Sequence, residues 1–527
     1  MTLLPGKQNS AEKKRFFIIL SFAALLSVTA FRFFSRSSDI FKYCDILGFS
    51  SSDALLLWRF ESVIVLAMSI AVFSVIYVLC FFDVRLSRLF ALTVLIFGLI
   101  FLFTISPISV PDEITHMQVV YDLSCILLRR PVDTSFIALD GFSNHLNVCS
   151  GYLRVLHELG GSFDFNGSAR QNILTDMWTL TYSVEYVPQI IGFSTALLLG
   201  RNMVTAFMLG RLFNLLFYVL CVYIAIERSP KFKVLLGLAS LMPMAIQQAA
   251  SLSYDNFINA LSLVLLSAII RAVFSGEKLR VKDFLFILIP AALLAPAKGI
   301  YCLIIILFLF IPNECFSGLK VGKKGCFALL LGACVLMFAA VSLPSVIRIM
   351  NSVRPGLEIS GESQYTVSYI FTHPFDTLKI FADTFNAYIL QWLGGAVGYT
   401  LSTYTLDLPV WIVPVYFALL ILSAQNVSGD EISLPRGMRT SLLLYSAFVI
   451  FAFMMTMFLT WIRDTDRIIV GVQGRYFIPI IPVLMICLNS GLVELKRRID
   501  RPLIIFAVLL LARTVLEILS YTLFSSV

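Results

Sequence analysis

Apolar runs of helical length recur from one end of the chain to the other, near residues 15–33, 62–82, 86–106, 203–226, 231–250, 254–274, 325–345, 408–424, 439–461, 476–494 and 502–524. Each approaches the roughly 20 residues that a helix needs to cross the hydrocarbon core of a bilayer. No water reaches backbone N–H and C=O groups inside that core, so such a segment must close its own hydrogen bonds as a helix. Between these runs, residues 283–312 (DFLFILIPAALLAPAKGIYCLIIILFLFIP) form a longer apolar region interrupted by Pro290, Pro296 and Lys298. It reads as one kinked span or as a hairpin of two short ones. The chain is 59% hydrophobic and only 14% charged, whereas a soluble chain carries about a quarter charged residues. The expected fold class is therefore all-α: a polytopic integral membrane protein of about thirteen transmembrane helices, within about 11–14.

Charge sets the expected topology. Lys and Arg cluster in the N-terminus (Lys7, Lys13, Lys14, Arg15), in DVRLSR, ERSPKFK and EKLRVK, at Lys320, Lys323 and Lys324, at Arg436 and Arg439, and in ELKRRIDR. If all these loops are cytoplasmic, the spans alternate consistently only when 283–312 is a hairpin and 186–200 does not fully cross. The N-terminus is then inside, and MTLLPGKQNSAEKKRFFIILSFAALLS, with no small-residue cleavage site, reads as a retained first span. Two segments, about 107–202 and 346–407, fall outside. The first contains amphipathic stretches such as DFNGSARQNILTDMWTL, so short interfacial helices are expected there, with YVPQIIGFSTALLLG (186–200) interfacial or re-entrant. No internal repeat divides residues 1–527, which read as a single integral domain. The formal charge of +8 sits at span ends, so it orients the protein in a bilayer and does not point to nucleic acid. The ten cysteines show no C-x-x-C and no metal spacing, and read as small buried hydrophobes.

Under this topology several polar residues meet one membrane face. SVPDEITH places Asp112 and Glu113 where the third span emerges, behind Pro111. One reading is a well-made helix start, since proline and acidic residues suit a first turn. The other is chemical: His116 lies four residues after Asp112 on the same helical face, and a carboxylate near a histidine can be held ready to take a proton. SLSYDN puts Asp255 at the outer start of another span, as an exposed cap or as part of a site. Lys298 sits at the tip of the hairpin. Arms of about 13 residues would reach only about 20 Å, short of a ~30 Å core, so this lysine needs a partner unless it snorkels to the interface. DTDRIIVGVQGRYFIPIIPV brings Gln473, Gly474, Arg475 and Tyr476 to the outer entrance of a further span. There an arginine fork suits a phosphate, and a glycine lets the backbone come close. A base beside cationic groups is what transfer from a lipid phosphate requires.

PDEITH resembles the Asp-Glu motif of GT-C glycosyltransferases, polytopic enzymes that use polyprenyl-phosphate sugars. Residues 186–216 resemble the proline-bearing helix and following span of protein mannosyltransferases and aminoarabinose transferases. The chain further resembles a family of bacterial membrane proteins in the GT-C clan through PDEITH, RLFNLL, SLSYDN, AKGIY, WLGGAVGY and VQGRYFIPIIP, in this order, over about 105–495. The resemblance implies inverting transfer outside the cytoplasmic membrane, in cell-wall or surface polysaccharide synthesis. Asp112 would be the general base, with Glu113 its neighbour or alternative. Lys298 and Arg475 would neutralise the departing phosphate, and His116 and Asp255 would position the acceptor or the base, beside Gln473 and Tyr476. Partners would be a polyprenyl-linked donor, a glycan or lipid-linked acceptor and the bilayer. No cofactor is expected; the resemblance leaves room for a divalent metal near these carboxylates, as in some GT-C enzymes, but no His/Cys ligand set supports one. GT-C enzymes carry the motif after their first span, and here it follows the third. The alternative readings are a transporter or flippase of lipid-linked glycans, and a polymerase or ligase joining whole repeat units.

Overall fold

The computed structural model describes residues 5–133, 135–136, 148–163, 184–343, 363–402, 406–429, 432–489 and 494–524; the stretch DFNGSARQNILTDMWTL lies outside them. The protein is an all-α polytopic membrane protein. Three long helices open it: α1 (Pro5–Ile46), α2 (Ser51–Phe81) and α3 (Leu86–Thr104). Short helices α4 (Glu113–Leu127), α5 (Val148–Glu158) and α6 (Val187–Leu198) precede α7 (Met203–Arg228). There follow α8 (Lys233–Ser240), α9 (Pro243–Ala249), α10 (Asp255–Phe274), α11 (Val281–Lys298) with a 3-10 helix over Gly299–Phe310, and α12 (Lys323–Met337). The rest comprises α13 (Val367–Thr372), α14 (Pro374–Val397), α15 (Ile412–Ala424), α16 (Met438–Thr460), a 3-10 turn Gly474–Ile480 running into α17 (Ile481–Cys487), and α18 (Asp500–Phe524). Among the described residues the strands are two-residue pieces.

Nine helices among the described residues are long and apolar enough to cross a membrane. One of these stretches, Val281–Phe310, folds back on itself. The chain breaks at Lys298 (φ −144°, ψ 86°), Phe284 near the start of the first arm meets Phe308 near the end of the second, and the Leu279 N–H donates to the Cys315 carbonyl at 2.7 Å. At 1.5 Å per α-helical and ~2.0 Å per 3-10 residue, the arms reach about 27 and 24 Å. The hairpin expected from charge is present, but its arms are longer than 13-residue α-helices, the first because it has 18 residues and the second because its 12 are drawn out as 3-10. Arm length therefore does not hold Lys298 short of the surface. Three shorter apolar helical stretches among the described residues, α6, α15 and residues 474–487, accompany these nine.

α6 does not cross. Its 12 residues span about 18 Å, and it packs on the first turns of α7, where a Cβ on Gly192 would lie 2.3 Å from the Leu209 carbonyl oxygen. The basic loops gather at one end of the bundle. There Arg228 pairs with Asp283 at 2.7 Å, Lys323 donates to the Leu309 and Ile311 carbonyls, and Arg439 donates to that of Asn489. The segments around Asp112, Asp255, Lys298 and Arg475 gather at the other. Eight of the nine described cysteines are buried, in keeping with packing roles.

Candidate active site

The six sequence motifs meet at one end of the bundle, and a single carboxylate ties three of them. Glu113 is fully buried and accepts four hydrogen bonds: Arg211 Nε at 2.9 Å and Nη2 at 2.7 Å, Leu252 N at 3.1 Å and Ile108 N at 3.0 Å. Arg211, also fully buried, spends its remaining donors on the carbonyls of Ile105 (2.6 Å) and Ser106 (3.1 Å) at the end of α3. This is the bidentate fork that an arginine supplies and a lysine cannot. One turn further along α7, Asn214 donates to the Ser251 and Ser253 carbonyls at 2.7 and 3.2 Å, and Asn256 donates to the Asn214 side chain at 2.8 Å. PDEITH, RLFNLL and SLSYDN thus form one buried lattice that satisfies the irregular backbone between α9 and α10. Glu113 is a positioning residue here, because its acceptor sites are already filled.

Asp112 behaves differently. It occupies the N-cap position of α4, but its φ of 63° is left-handed and its side chain makes no capping hydrogen bond. A capping aspartate takes an extended backbone and accepts from the first turn. This one instead holds a sparsely populated conformation that aspartate tolerates, and its 61%-exposed carboxylate meets Arg475 Nη2 at 2.6 Å. The helix-start reading therefore describes Glu113, the first helical residue, and not Asp112. The four-residue spacing to His116 holds in the backbone, whose His116 N–H donates to the Asp112 carbonyl at 3.0 Å, but the two side chains go to different partners. His116 is buried and turns its Nδ1 to the Tyr186 hydroxyl at 2.5 Å, with the Tyr254 ring edge-on at 5.3 Å. Burial, reinforced by Arg475, pushes its pKa down to about 4, against the pull of Asp255 and Asp112. It is neutral at physiological pH.

Asp255 is no exposed cap. It is 6% exposed and lies between two cations, Lys298 Nζ at 2.7 Å and Arg475 Nε at 3.2 Å. The result is a chain of alternating charge: Lys298, Asp255, Arg475, Asp112. Aromatic rings floor it. Lys298 Nζ lies 4.2 Å from the centroid of Tyr476 and 5.1 Å from that of Tyr254, within cation–π range. The Tyr301 hydroxyl donates to the Tyr476 carbonyl at 2.5 Å, and Phe453 stacks on Tyr476 at 5.0 Å. Arg475 is placed by its neighbour: Gly474 packs against α14 so closely that a Cβ would lie 2.5 Å from the Trp392 carbonyl oxygen and 2.6 Å from the Ala396 nitrogen. WLGGAVGY and VQGRYF thereby meet glycine to glycine, and Arg475 emerges beside Asp112. Its guanidinium fills the space between the carboxylates of Asp112 and Asp255; among the described residues no group of His, Cys, Asp and Glu has the arrangement of a metal site.

Beside the charge chain lies a cavity of about 250 Å³ bordered by Arg475, Gln473, Gln248 and Trp392. All eight residues singled out in the sequence thus lie at this end. Gln473 lines the cavity, and Glu113 and His116 stand behind it. Two participants were not anticipated. Arg211 carried a signal, being a charge inside an apolar run. Glu185 carried little: it is 1% exposed, neither carboxylate oxygen has a hydrogen-bond partner among the described residues, and burial raises its pKa well above the ordinary carboxylate range, against the pull of Lys298.

A family model described as "Predicted membrane protein (DUF2142)" matches residues 95–484. The match opens inside α3, so α1 and α2 precede it. No curated protein and no solved structure matches the chain.

Proposed function

We propose that this chain, which belongs to the DUF2142 family of predicted membrane proteins, is a membrane glycosyltransferase. In this reading it moves a sugar from a polyprenyl-phosphate or -diphosphate donor to an acceptor hydroxyl in cell-wall or surface polysaccharide synthesis. The observation that carries the reading is the bridge made by Arg475 between the exposed carboxylate of Asp112 and the buried Asp255, with Lys298 on the far side. It sets a base and two cations side by side at one end of a membrane bundle. The basic loops lie at the other end, and basic loops favour the cytoplasm, so the site faces outward.

In the proposed step the acceptor oxygen attacks the anomeric carbon opposite the phosphate. Its proton goes to the Asp112 carboxylate, the bond from the anomeric carbon to the phosphate oxygen breaks, and the phosphate leaves with the electron pair. The bridge couples these events. As Asp112 is neutralised, the charge of Arg475 loses one counter-ion while negative charge grows on the phosphate, and fixed positive charge is most useful where charge develops. Asp255 keeps Arg475 and Lys298 in register. The lipid chain has a route as well. An apolar groove of about 690 Å³ between the second hairpin arm, α12 and α16 is lined by Leu303, Phe327, Leu444 and Phe451. Phe451 on its wall stands two residues before Phe453, which stacks on the Tyr476 ring beneath Lys298.

The test is Asp112→Asn expressed in a strain lacking the native protein, with the surface glycan compared at equal membrane levels. A general base contributes about 10²–10⁴-fold, so loss of one glycan decoration is expected. An unchanged glycan sinks the assignment. Movement of a lipid-linked sugar across liposomes by purified protein, without transfer, would favour the transporter.

A further inference from the structure

The cavity beside the charge chain has a chemistry of its own. Its wall carries three carboxamides, Gln248 from α9, Gln391 from α14 and Gln473 from the loop before the 3-10 turn, together with Trp392 and Tyr388 of α14, whose rings stack nearly parallel at 6.2 Å. Among the side chains that line it, Arg475 alone is charged. The Oε1 atoms of Gln248 and Gln473 are buried and accept no hydrogen bond among the described residues, and Gln248 Nε2 reaches only the Met244 sulfur at 3.5 Å. An unmade hydrogen bond at a buried acceptor costs about 1–3 kcal/mol, so two such acceptors on one small cavity point to a ligand that supplies donors.

The geometry points to this cavity as a subsite for a single uncharged pyranose, its hydroxyls donating to Gln248 and Gln473 and its C–H face lying on the Tyr388–Trp392 pair. This rests on the reading of Arg475 and Lys298 as the phosphate site. The volume, about 250 Å³, lies below the roughly 300–1,000 Å³ of pockets that take drug-sized ligands, which fits one ring and not an oligosaccharide. Charge selects further. An ammonium on the sugar would add a cation beside Arg475, whose partners Asp112 and Asp255 are already engaged by it, and no acidic side chain lines the cavity itself. A uronate carboxylate would compete with the donor phosphate for the same guanidinium. A neutral ring with several O–H groups meets both orphaned acceptors at no electrostatic cost, and a site built to hydrogen-bond hydroxyls discriminates strongly against ligands that lack them. Arg475 at one end of the cavity fixes the polarity of the ring: the anomeric carbon, attached to the phosphate, lies at the Arg475 end beside Asp112, and the remaining hydroxyls point toward the glutamines.

The test uses full-length protein in lipid nanodiscs and measures dissociation constants for citronellyl phosphate and for citronellyl-phosphoryl glucose, mannose, galactose, glucosamine and glucuronic acid. At least one neutral hexosyl phosphate is expected to bind tenfold or more tightly than citronellyl phosphate, and the amino sugar and uronate to gain less than threefold. Gln248→Leu and Gln473→Leu should each remove most of that gain while leaving citronellyl phosphate within twofold of wild type, which also certifies their fold. Gln391→Ala, at an exposed position, gives a second variant that leaves the buried packing alone and should lower the gain in the same direction. If citronellyl phosphate binds and no neutral sugar adds affinity, or the charged sugars add as much, the subsite is overturned and the phosphate site stands. If citronellyl phosphate itself fails to bind, both fall.

Discussion

The division of labour between two adjacent carboxylates can be measured through the Glu113–Arg211 pair. Glu113→Gln keeps the shape but removes the charge, and presents an NH₂ or a single carbonyl to a guanidinium that donates twice, at 2.9 and 2.7 Å. Arg211 then remains fully buried with carbonyl partners only. Hydrogen bonds to charged groups are worth about 1.5–3 kcal/mol each, and removing one partner of a buried pair costs about 3–5 kcal/mol. The same loss is expected for Arg211→Met, which strands the carboxylate with the Leu252 and Ile108 N–H groups. The double variant should be much less destabilised than the sum, with a coupling of at least about 2 kcal/mol, because neither charge is then left alone. Equilibrium unfolding in bicelles by steric trapping of a doubly tagged protein gives the four free energies of the cycle. Additivity within about 0.5 kcal/mol, or a Glu113→Gln protein as stable as wild type, would refute the positioning role and return Glu113 to the list of candidate bases.

Other perturbations probe the same frame. Gly474→Ala places a methyl against backbone atoms of α14 that cannot rotate away; a loss of about 1–3 kcal/mol in the same unfolding assay is expected, along with loss of transfer as Arg475 shifts. Arg475→Lys offers one ammonium in place of a planar fork that reaches both Asp112 and Asp255, so transfer should fall about 10²-fold or more at normal protein levels; activity within threefold of wild type would contradict the bridge. His116 is harder to protonate when folded than when unfolded. Its contribution is therefore complete above pH 6.5, is lost as pH falls toward about 4, and changes no further below that. Wild type should lose on the order of 3 kcal/mol relative to His116→Gln across that window, and parallel stability–pH curves for the two proteins would count against a buried, neutral histidine.

Legibility differed between fold and site for physical reasons. The spans could be read because a bilayer imposes one length and one chemistry on each of them, and the hairpin at 283–312 because charge bookkeeping left no other alternation. Asp255 and Arg475 could be picked out as polar groups at the mouths of spans, yet nothing along the chain says that two residues 220 positions apart come to 3.2 Å. The relation of Asp112 to His116 read from helical spacing holds in the backbone, where the His116 N–H donates to the Asp112 carbonyl at 3.0 Å, but the left-handed φ of Asp112 accompanies a carboxylate that meets Arg475 while the imidazole turns to Tyr186. Glu185 gave no pattern to find, since its interest lies in what surrounds it.

By itself, then, the sequence determined an all-α membrane bundle, a hairpin carrying a lysine, and the set of polar residues at one end of it, because hydropathy, span length and loop charge act locally and accumulate along the chain. Tertiary structure decided which of two neighbouring carboxylates is buried with Arg211 and which is offered to Arg475, and that Gly474 and Gly395 touch so that Arg475 can reach it. Those outcomes depend on contacts between segments hundreds of residues apart, where a rotation of one backbone dihedral at Asp112 exchanges a helix cap for one end of a chain of charges.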